Sequence, residues 1–169
     1  AVEYKATTDG IYALAAMRLD EALADPEWTA APDLQGEAYQ DLPPAIILDA
    51  DETVLDNTPY AAADVLAGEP FSPDRWNAWA SAGVAKAVPG AVDFTRAAAA
   101  KGVKVFYVTN RDAVTEVGTA RNLRALGFPM GGNVDTLLTK GEQDDWGSAK
   151  ATRWAVVAKD YRILLMLGD

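Results

Sequence analysis

The sequence contains no cysteine and no histidine among its 169 residues. Without cysteine the chain has no disulfide bonds, no thiolate zinc site and no cysteine nucleophile. Without histidine it cannot form a Ser-His-Asp triad, bind haem through an imidazole or use a His-based metal site. Any chemistry must therefore rely on carboxylates, lysine, hydroxyl groups and the backbone, which favours hard cations bound by oxygen.

Long apolar segments are also missing, because no run approaches the roughly 18 consecutive apolar residues of a membrane-spanning helix. The N-terminal residues have no signal-peptide pattern. The chain stops two residues after an apolar run at 162–167, and from this we expect a truncated C-terminus. The length fits one domain of about 100–200 residues, so we predict a single domain over 1–169.

Basic residues are scarce in the first third of the chain. Residues 1–60 carry 13 acidic and 2 basic side chains, and the whole chain has a net charge of −10. An acidic chain offers no broad basic surface to a polyanion, so we expect no nucleic-acid partner. Most of these acidic side chains should form a solvated surface, although some could converge on a metal ion.

The apolar pattern predicts strands that alternate with helices. Apolar runs, several of them rich in β-branched or aromatic residues, predict strands at 45–48, 103–108, 134–138 and 162–167. Helical spacing and Gly or Pro boundaries predict helices at 10–25, 90–101, 114–126 and 148–159. An irregular connector is expected at 26–44, and a turn-rich insert with one short helix at 56–88. This order indicates an α/β fold with a Rossmann-like parallel sheet flanked by helices.

Polar side chains follow the predicted strands at the edge where parallel sheets bind ligands. They are Asp49 and Asp51 after the first strand, Thr109 and Asn110 after the second, and Asp169 after the last, with Lys150 near the start of the last helix. An Asp-x-Asp pair alone is weak evidence, because a chain with 17 aspartates contains about two such pairs by chance. The position of this pair at a strand end strengthens the prediction of a site.

This set of residue types is suited to phosphoryl transfer. Two carboxylates at one strand end repel each other unless a cation or a proton lies between them, and Mg²⁺ with a phosphate substrate meets that need. One Asp could attack phosphorus while the other transfers protons. Lysine, hydroxyl and Mg²⁺ would stabilise the phosphoryl oxygens. The structural alternative is that the Asp and Thr residues only form turns and that Lys150 is an ordinary surface residue.

Several segments resemble the motifs of the class C acid phosphatases, the bacterial outer-membrane-lipoprotein type within the haloacid-dehalogenase superfamily. AIILDADETVLDNTPY (45–60) resembles their first motif and FYVTNR (106–111) their second. GT-x-x-NL-x-x-LGF (118–128) is similar to the helix that follows, SAK-x-x-R (148–153) to the third motif and LGD (167–169) to the start of the fourth. The resemblance covers essentially the whole chain.

The resemblance implies the haloacid-dehalogenase fold, with an N-terminal helix and a small cap insert at 56–88. It also implies a Mg²⁺-dependent acid phosphatase that hydrolyses phosphomonoesters, either 5′-nucleotides or aryl phosphates, through an aspartyl-phosphate. Asp49 would be the nucleophile and Asp51 the general acid and base. Mg²⁺ would bind Asp49, the backbone carbonyl of Asp51, and Asp169. The implied substrate-binding residues are Thr53, Thr109, Asn110, Lys150, Tyr60 and Trp76. Thr53 would orient the loop after the nucleophile. Tyr60 and Trp76, together with Trp79, would form an apolar wall.

Two points depart from the family or stay open. The segment between Leu138 and Lys150 is longer and more acidic than the family pattern, which makes Lys140 a rival to Lys150 as the phosphate-binding lysine. The family implies a periplasmic, outer-membrane-associated or secreted protein, with membrane attachment only through a lipid anchor absent from this chain. Its oligomeric state is left open.

Two other functions were compatible with the same strand-end residues. A catalytically inactive storage or binding protein could use this fold, but such relatives commonly lose the nucleophile, and Asp49 is present. A phospho-accepting receiver-like domain also uses Asp, Thr, Lys and Mg²⁺, but it accepts phosphate at a later strand. Here the later strands are followed by Thr109 and Thr139, and no acceptor aspartate stands there.

Overall fold

A computed structural model describes residues 2–168 of the chain. In chain order the elements are α1 (Val2–Ala24), β1 (Pro44–Leu48), β2 (Leu55–Asp56), α2 (Thr58–Ala67), α3 (Pro73–Ala82), β3 (Lys86–Ala87), α4 (Ala91–Ala100), β4 (Lys104–Asp112), α5 (Glu116–Leu126), β5 (Leu137–Lys140), α6 (Ala151–Asp160) and β6 (Arg162–Leu167). Over this range, no helix combines the length and the apolar character needed to cross a bilayer.

Four strands form a parallel sheet in the order β5-β4-β1-β6. The central strand β1 pairs with β4 on one side and β6 on the other. Its residues from Ala45 to Leu48 are all buried, as expected for a parallel strand covered on both faces. The predicted α/β fold, with helices flanking a parallel sheet and a helix at the N-terminus, is therefore confirmed.

Helices cover the two faces of the sheet because successive side chains of a strand point to opposite sides. Ile46 and Tyr107 join an apolar cluster with residues of α1, α4 and α5. Ile47 and Phe106 join a second cluster with Val157 of α6. These layers leave the carboxyl ends of β1, β4 and β6 along one edge of the sheet, where the predicted site residues lie.

The insert at 56–88 contains two helices, and the prediction of a single short helix is wrong. β2 and β3 pair antiparallel at its base, and α2 and α3 lie between them in the chain. Helix α2 carries Pro59 in its first turn and is capped at its C-terminus by Gly68, whose φ is 66°. The sequence prediction treats Pro59 as a turn residue, but proline is also favoured in the first turn of a helix.

Other element boundaries differ from the prediction at their ends. Helix α1 begins at Val2 instead of residue 10, because nothing in the first turns breaks a helix. Strand β4 continues to Asp112, which pairs with Lys140. Strand β5 begins at Leu137 instead of residue 134, since the Asp135 carboxylate accepts a hydrogen bond from the Leu137 amide and forms a turn there.

A glycine lets α5 approach the insert closely. A Cβ atom at Gly118 would lie 2.3 Å from the carbonyl oxygen of Ser81 at the end of α3, so no other residue fits without moving the backbone. One turn later the Asn122 side chain accepts a hydrogen bond from the Ala85 amide at 3.1 Å and donates one to the Ala85 carbonyl at 2.9 Å. These contacts hold the insert beside the carboxyl edge of the sheet.

Candidate active site

Asp49 and Asp51 lie directly after β1, at the carboxyl edge of the sheet. The Asp49 amide donates to the Leu167 carbonyl at 2.9 Å, and its carboxylate accepts from the Ala50 amide at 2.7 Å. The Asp49 and Asp51 side chains are 20% and 26% exposed, respectively. Both carboxylates are therefore anchored by the protein and still accessible to a small substrate.

The loop after Asp51 turns tightly back on β1. The amides of Val54 and Leu55 both donate to the Ala50 carbonyl at 2.9 Å, and Glu52 takes a left-handed conformation with φ of 55°, which is uncommon for a residue with a side chain. The carbonyl of Thr53 accepts a hydrogen bond from the Tyr12 hydroxyl at 2.5 Å. Thr53 is buried and ties this loop to α1; its predicted part in substrate binding stays a prediction.

Lys150 is the lysine next to Asp49. Its Nζ lies 2.5 Å from Asp49 Oδ2, and its side chain is 16% exposed. The rival Lys140 pairs instead with Asp112 at 2.8 Å, and the hydrogen bond from Lys140 lowers the pKa of the Asp112 carboxyl. Of these two lysines, Lys150 alone contacts the predicted nucleophile; its phosphate-binding role stays a prediction.

Asp51 is held by Arg111, a residue that the sequence prediction missed. Arg111 donates to Asp51 Oδ1 from Nε at 3.0 Å and from Nη2 at 2.8 Å, and Asn57 Nδ2 donates to the same oxygen at 2.8 Å. The Arg111 side chain is only 1% exposed. Its position as the last residue of the FYVTNR motif, one place beyond Asn110, was the signal that could have identified it.

Arg111 also connects Asp51 to the insert. Its Nη2 donates to Asn57 Oδ1 at 3.1 Å, and the same oxygen accepts from Trp79 Nε1 at 2.9 Å. The guanidinium carbon lies 5.5 Å from the ring centre of Trp76, within the range of a cation–π interaction. The two tryptophans of α3 are therefore linked to the Asp51 carboxylate through a buried cation and an amide.

The predicted aromatic residues meet beside this network. Tyr60 and Trp76 are 5.2 Å apart in an edge-to-face arrangement, and Tyr60 and Trp79 are 6.0 Å apart. Tyr60 and Trp76 line a cavity of about 400 Å³ together with Asn57 and Phe71. Phe71 is 66% exposed and was not predicted. The insert thus presents an aromatic surface near the carboxylates.

Thr109 and Asn110 lie on β4 beside β1, and both side chains make hydrogen bonds within the protein. The Thr109 hydroxyl accepts from the Arg111 amide at 3.1 Å. The Asn110 side chain donates to the Ser148 carbonyl at 3.0 Å and accepts from Arg153 at 2.7 Å. Asn110 therefore joins β4 to the segment that leads into α6.

The donor set suits a hard cation, although it is incomplete in the described residues. Asp169, the third predicted metal ligand, lies outside them. Within residues 2–168 no three acidic side chains group into a metal site. The Asp49 carboxylate and the Asp51 carbonyl are oxygen groups of the kind that Mg²⁺ prefers, and this ion commonly uses only one or two carboxylates in proteins. The residues present are therefore compatible with Mg²⁺ in kind.

A second cavity, of about 430 Å³, opens next to Asp49. It is lined by Lys150 and Gly168 and by apolar side chains that include Met166 and Trp154. Trp154, on α6, was not predicted. The cavity leaves space for a phosphate-sized group against the ion pair of Asp49 and Lys150.

A family model, a curated relative and solved structures all indicate the same family. The model of the haloacid-dehalogenase superfamily, subfamily IIIB (acid phosphatase), matches residues 1–169. Acid phosphatase 1 from Solanum lycopersicum is 30% identical over 128 residues, which are 73% of this chain and 49% of that protein. The chain therefore spans about half the length of this curated relative.

Solved structures agree with the family model. The class C acid phosphatase from Bacillus anthracis with tungstate bound is 34% identical, with a TM-score of 0.83, and the match covers 100% of this chain and 64% of that one. A second structure of the class C acid phosphatase from Bacillus anthracis is 33% identical, with a TM-score of 0.79, covering 96% and 61%. The chain thus belongs to subfamily IIIB of the haloacid-dehalogenase superfamily, the family of acid phosphatases.

Proposed function

We propose that this protein is a phosphomonoester hydrolase in which Asp49 is the nucleophile. The observation that carries the proposal is the contact of 2.5 Å between Lys150 Nζ and Asp49 Oδ2 at the carboxyl end of β1. An ammonium group in contact with the nucleophile can neutralise the phosphoryl oxygens as charge develops on them. Membership of an acid phosphatase family supports the same activity.

In the first step a carboxylate oxygen of Asp49 forms a bond to phosphorus while the ester P–O bond breaks. The leaving oxygen takes a proton from Asp51. The hydrogen bonds that Arg111 and Asn57 donate to the Asp51 carboxylate all end on Oδ1, and Oδ2 accepts none from residues 2–168. Oδ2 is therefore the oxygen available for proton transfer.

In the second step water attacks the aspartyl-phosphate. Asp51 Oδ2 takes the proton from the water, the bond between Asp49 and phosphorus breaks, and inorganic phosphate is released. Lys150 and the strand-end residues Thr109 and Asn110 would hold the phosphoryl group through both steps. Asp49 returns to its starting carboxylate form, and Asp51 carries the proton for the next cycle.

Mg²⁺ is the cofactor that we propose for this site, with the Asp49 carboxylate, the Asp51 carbonyl and Asp169 as its protein ligands. A bound Mg²⁺ supplies positive charge for the phosphoryl oxygens and orients the substrate. One Bacillus anthracis relative was crystallised with tungstate. Tungstate is an oxyanion of the same shape as phosphate, which supports an oxyanion-binding role in this family.

Small aryl phosphates or 5′-nucleotides are the substrates that we propose. The surface of Tyr60 and Trp76 lines the cavity next to Asn57, and aromatic rings or bases stack on such side chains. A periplasmic, outer-membrane-associated or secreted location remains a proposal from the family resemblance.

The test is hydrolysis of a chromogenic aryl phosphate by the full-length protein with Mg²⁺, with EDTA, and with Mg²⁺ restored. Asp49→Asn should reduce kcat by at least about a thousand-fold, whereas Asp33→Asn, at an exposed position, should not. Full activity of Asp49→Asn would contradict the mechanism. A folded wild-type protein that binds Mg²⁺ without turnover would support a storage or binding protein, and phosphate trapped on a residue other than Asp49 would support a receiver-like domain.

A further inference from the structure

Arg153 is a fully buried cation that forms no ion pair with any carboxylate of the described residues. Its exposed fraction is 0%, and no carboxylate in residues 2–168 lies within ion-pair distance. Its guanidinium donates to the Thr109 carbonyl, to Asn110 Oδ1 at 2.7 Å and to the Gly147 carbonyl at 2.9 Å. Nε has no partner among the described residues. A buried charge with no opposite charge in direct contact is costly, so a role must explain the position of this guanidinium.

We propose that Arg153 is a positioning residue that holds the Thr109–Asn110 end of β4 in the geometry needed to bind the phosphoryl group. The proposal rests on the function proposed above. Burial lowers the pKa of the Arg153 guanidinium, and the nearby charges of Asp49 and Glu142 oppose this effect, although Arg153 does not contact the predicted nucleophile. Its positive charge therefore adds to the field at the site while its hydrogen bonds fix the strand end.

The start of α6 places two cations on two neighbouring strands. Lys150 immediately precedes the helix and reaches Asp49 after β1. Arg153, three residues later on the same side of the helix, reaches Thr109 and Asn110 on β4. The SAK-x-x-R spacing thus has a physical reason. Two cations one helical turn apart reach the nucleophile on β1 and, on β4, the residues proposed to hold phosphate.

Arg162, another buried arginine, illustrates a purely structural role. Arg162 is 8% exposed, its Nε also lacks a partner among the described residues, and it donates to the carbonyls of Asp25 and Pro26 at 3.1 and 2.8 Å. Those carbonyls directly follow α1, and arginine commonly binds the carbonyls at a helix end. Arg162 is the first residue of β6, at the opposite end of the sheet from Asp49, which makes it a matched control.

The test compares Arg153→Met with Arg162→Met in the full-length protein, well below both unfolding temperatures. Both variants lose a buried guanidinium, so both should unfold at lower temperature. Only Arg153→Met should exchange amide hydrogens faster at 107–111, bind inorganic phosphate more weakly and lose roughly 100-fold in kcat/KM. Arg153→Lys should stay impaired, because one ammonium cannot span the Thr109 carbonyl and the Asn110 side chain.

Equal kcat/KM, phosphate affinity and exchange in the two methionine variants would overturn the proposal. Full recovery in Arg153→Lys would also overturn it, since charge alone would then be sufficient. If Arg153→Met does not fold, Arg153→Lys and Arg162→Lys are compared with the same readouts. An inactive wild-type protein would contradict the proposed function and not the role of Arg153. In that case amide exchange and calorimetric phosphate affinity test the positioning role by themselves. Equal values of both in the paired variants would overturn that role.

Discussion

The Arg111 guanidinium holds one oxygen of the Asp51 carboxylate from two nitrogens, Nε at 3.0 Å and Nη2 at 2.8 Å. The two residues are 60 positions apart in the sequence, and Arg111 is almost completely buried. Side-by-side hydrogen bonds from one guanidinium fix the direction of a carboxylate as well as binding it. Asp51 is therefore oriented beside Asp49 by the protein itself.

Arg111→Met should lower both stability and turnover. Removal of one partner of a buried ion pair costs about 3 kcal/mol of unfolding free energy, and a misoriented Asp51 should reduce kcat by roughly 100-fold. KM should change less, because the Arg111 side chain contacts Asp51 and none of the residues proposed to hold the phosphoryl group. Urea unfolding and steady-state kinetics measure both effects. The control is Arg121→Met, which removes an exposed guanidinium bound to carbonyls of α3; wild-type kcat in Arg111→Met would contradict the orienting role.

Lys150→Met and Lys140→Met should separate clearly in activity. Lys150 contacts Asp49, whereas Lys140 contacts Asp112. Removal of a charge-stabilising group from a phosphoryl site commonly reduces kcat by about 100-fold or more. The kcat of Lys150→Met should therefore fall by about that factor, and the variant should bind inorganic phosphate more weakly. Lys140→Met should stay within about threefold of wild type, since exposed ion pairs contribute little. A larger loss in Lys140→Met than in Lys150→Met would reverse the assignment.

Trp76→Leu should weaken the preference for aromatic substrates. Stacking on an aromatic side chain contributes about 1–3 kcal/mol, so KM for a phenyl phosphate should rise by roughly five- to a hundred-fold. KM for glycerol phosphate, which has no ring, serves as the internal control and should change little. Because Trp76 also covers Arg111, thermal unfolding is measured in parallel. An equal rise in KM for both substrates would argue against a ring-binding wall.

Glu142→Gln should change how stability depends on pH. Burial raises the pKa of Glu142 above its ordinary 4.5, and the nearby charges of Asp135 and Glu116 raise it further, against the hydrogen bonds from Thr139. The folded protein therefore keeps a proton that the unfolded chain has already lost, and this residue lowers the unfolding free energy as pH rises above about 4.5. Glutamine can still accept the hydrogen bonds from Thr139 without this penalty.

The measurement is chemical unfolding of wild type and Glu142→Gln at pH 4.5 and pH 7. The stability advantage of the variant should be larger at pH 7. Glu37→Gln, at an exposed carboxylate, is the control and should show no such change with pH. The same advantage at both pH values would show that the charge on Glu142 is not responsible.

Local patterns in the sequence were sufficient to locate the strands and the edge of the sheet that carries the site. Four continuous apolar segments produced the parallel sheet, although β5 and the insert helices differ from the prediction. These differences arise where proline or aspartate can mark either a turn or a helix start, a choice that neighbouring contacts decide. The positions of Asp49 and Asp51 follow from β1 alone, because a residue directly after a strand lies at its end.

The sequence by itself determined the α/β order, the pair of carboxylates after β1 and the motifs of the family, because each is a pattern within a short segment. The tertiary structure decided which partners these residues meet: Lys150 at Asp49, Arg111 at Asp51 and Arg153 at Thr109. Side-chain periodicity contains no information about the distance between segments that are far apart in the chain. Those distances are set by the packing of α5 and α6 against the sheet, which brings residues from distant motifs to one edge.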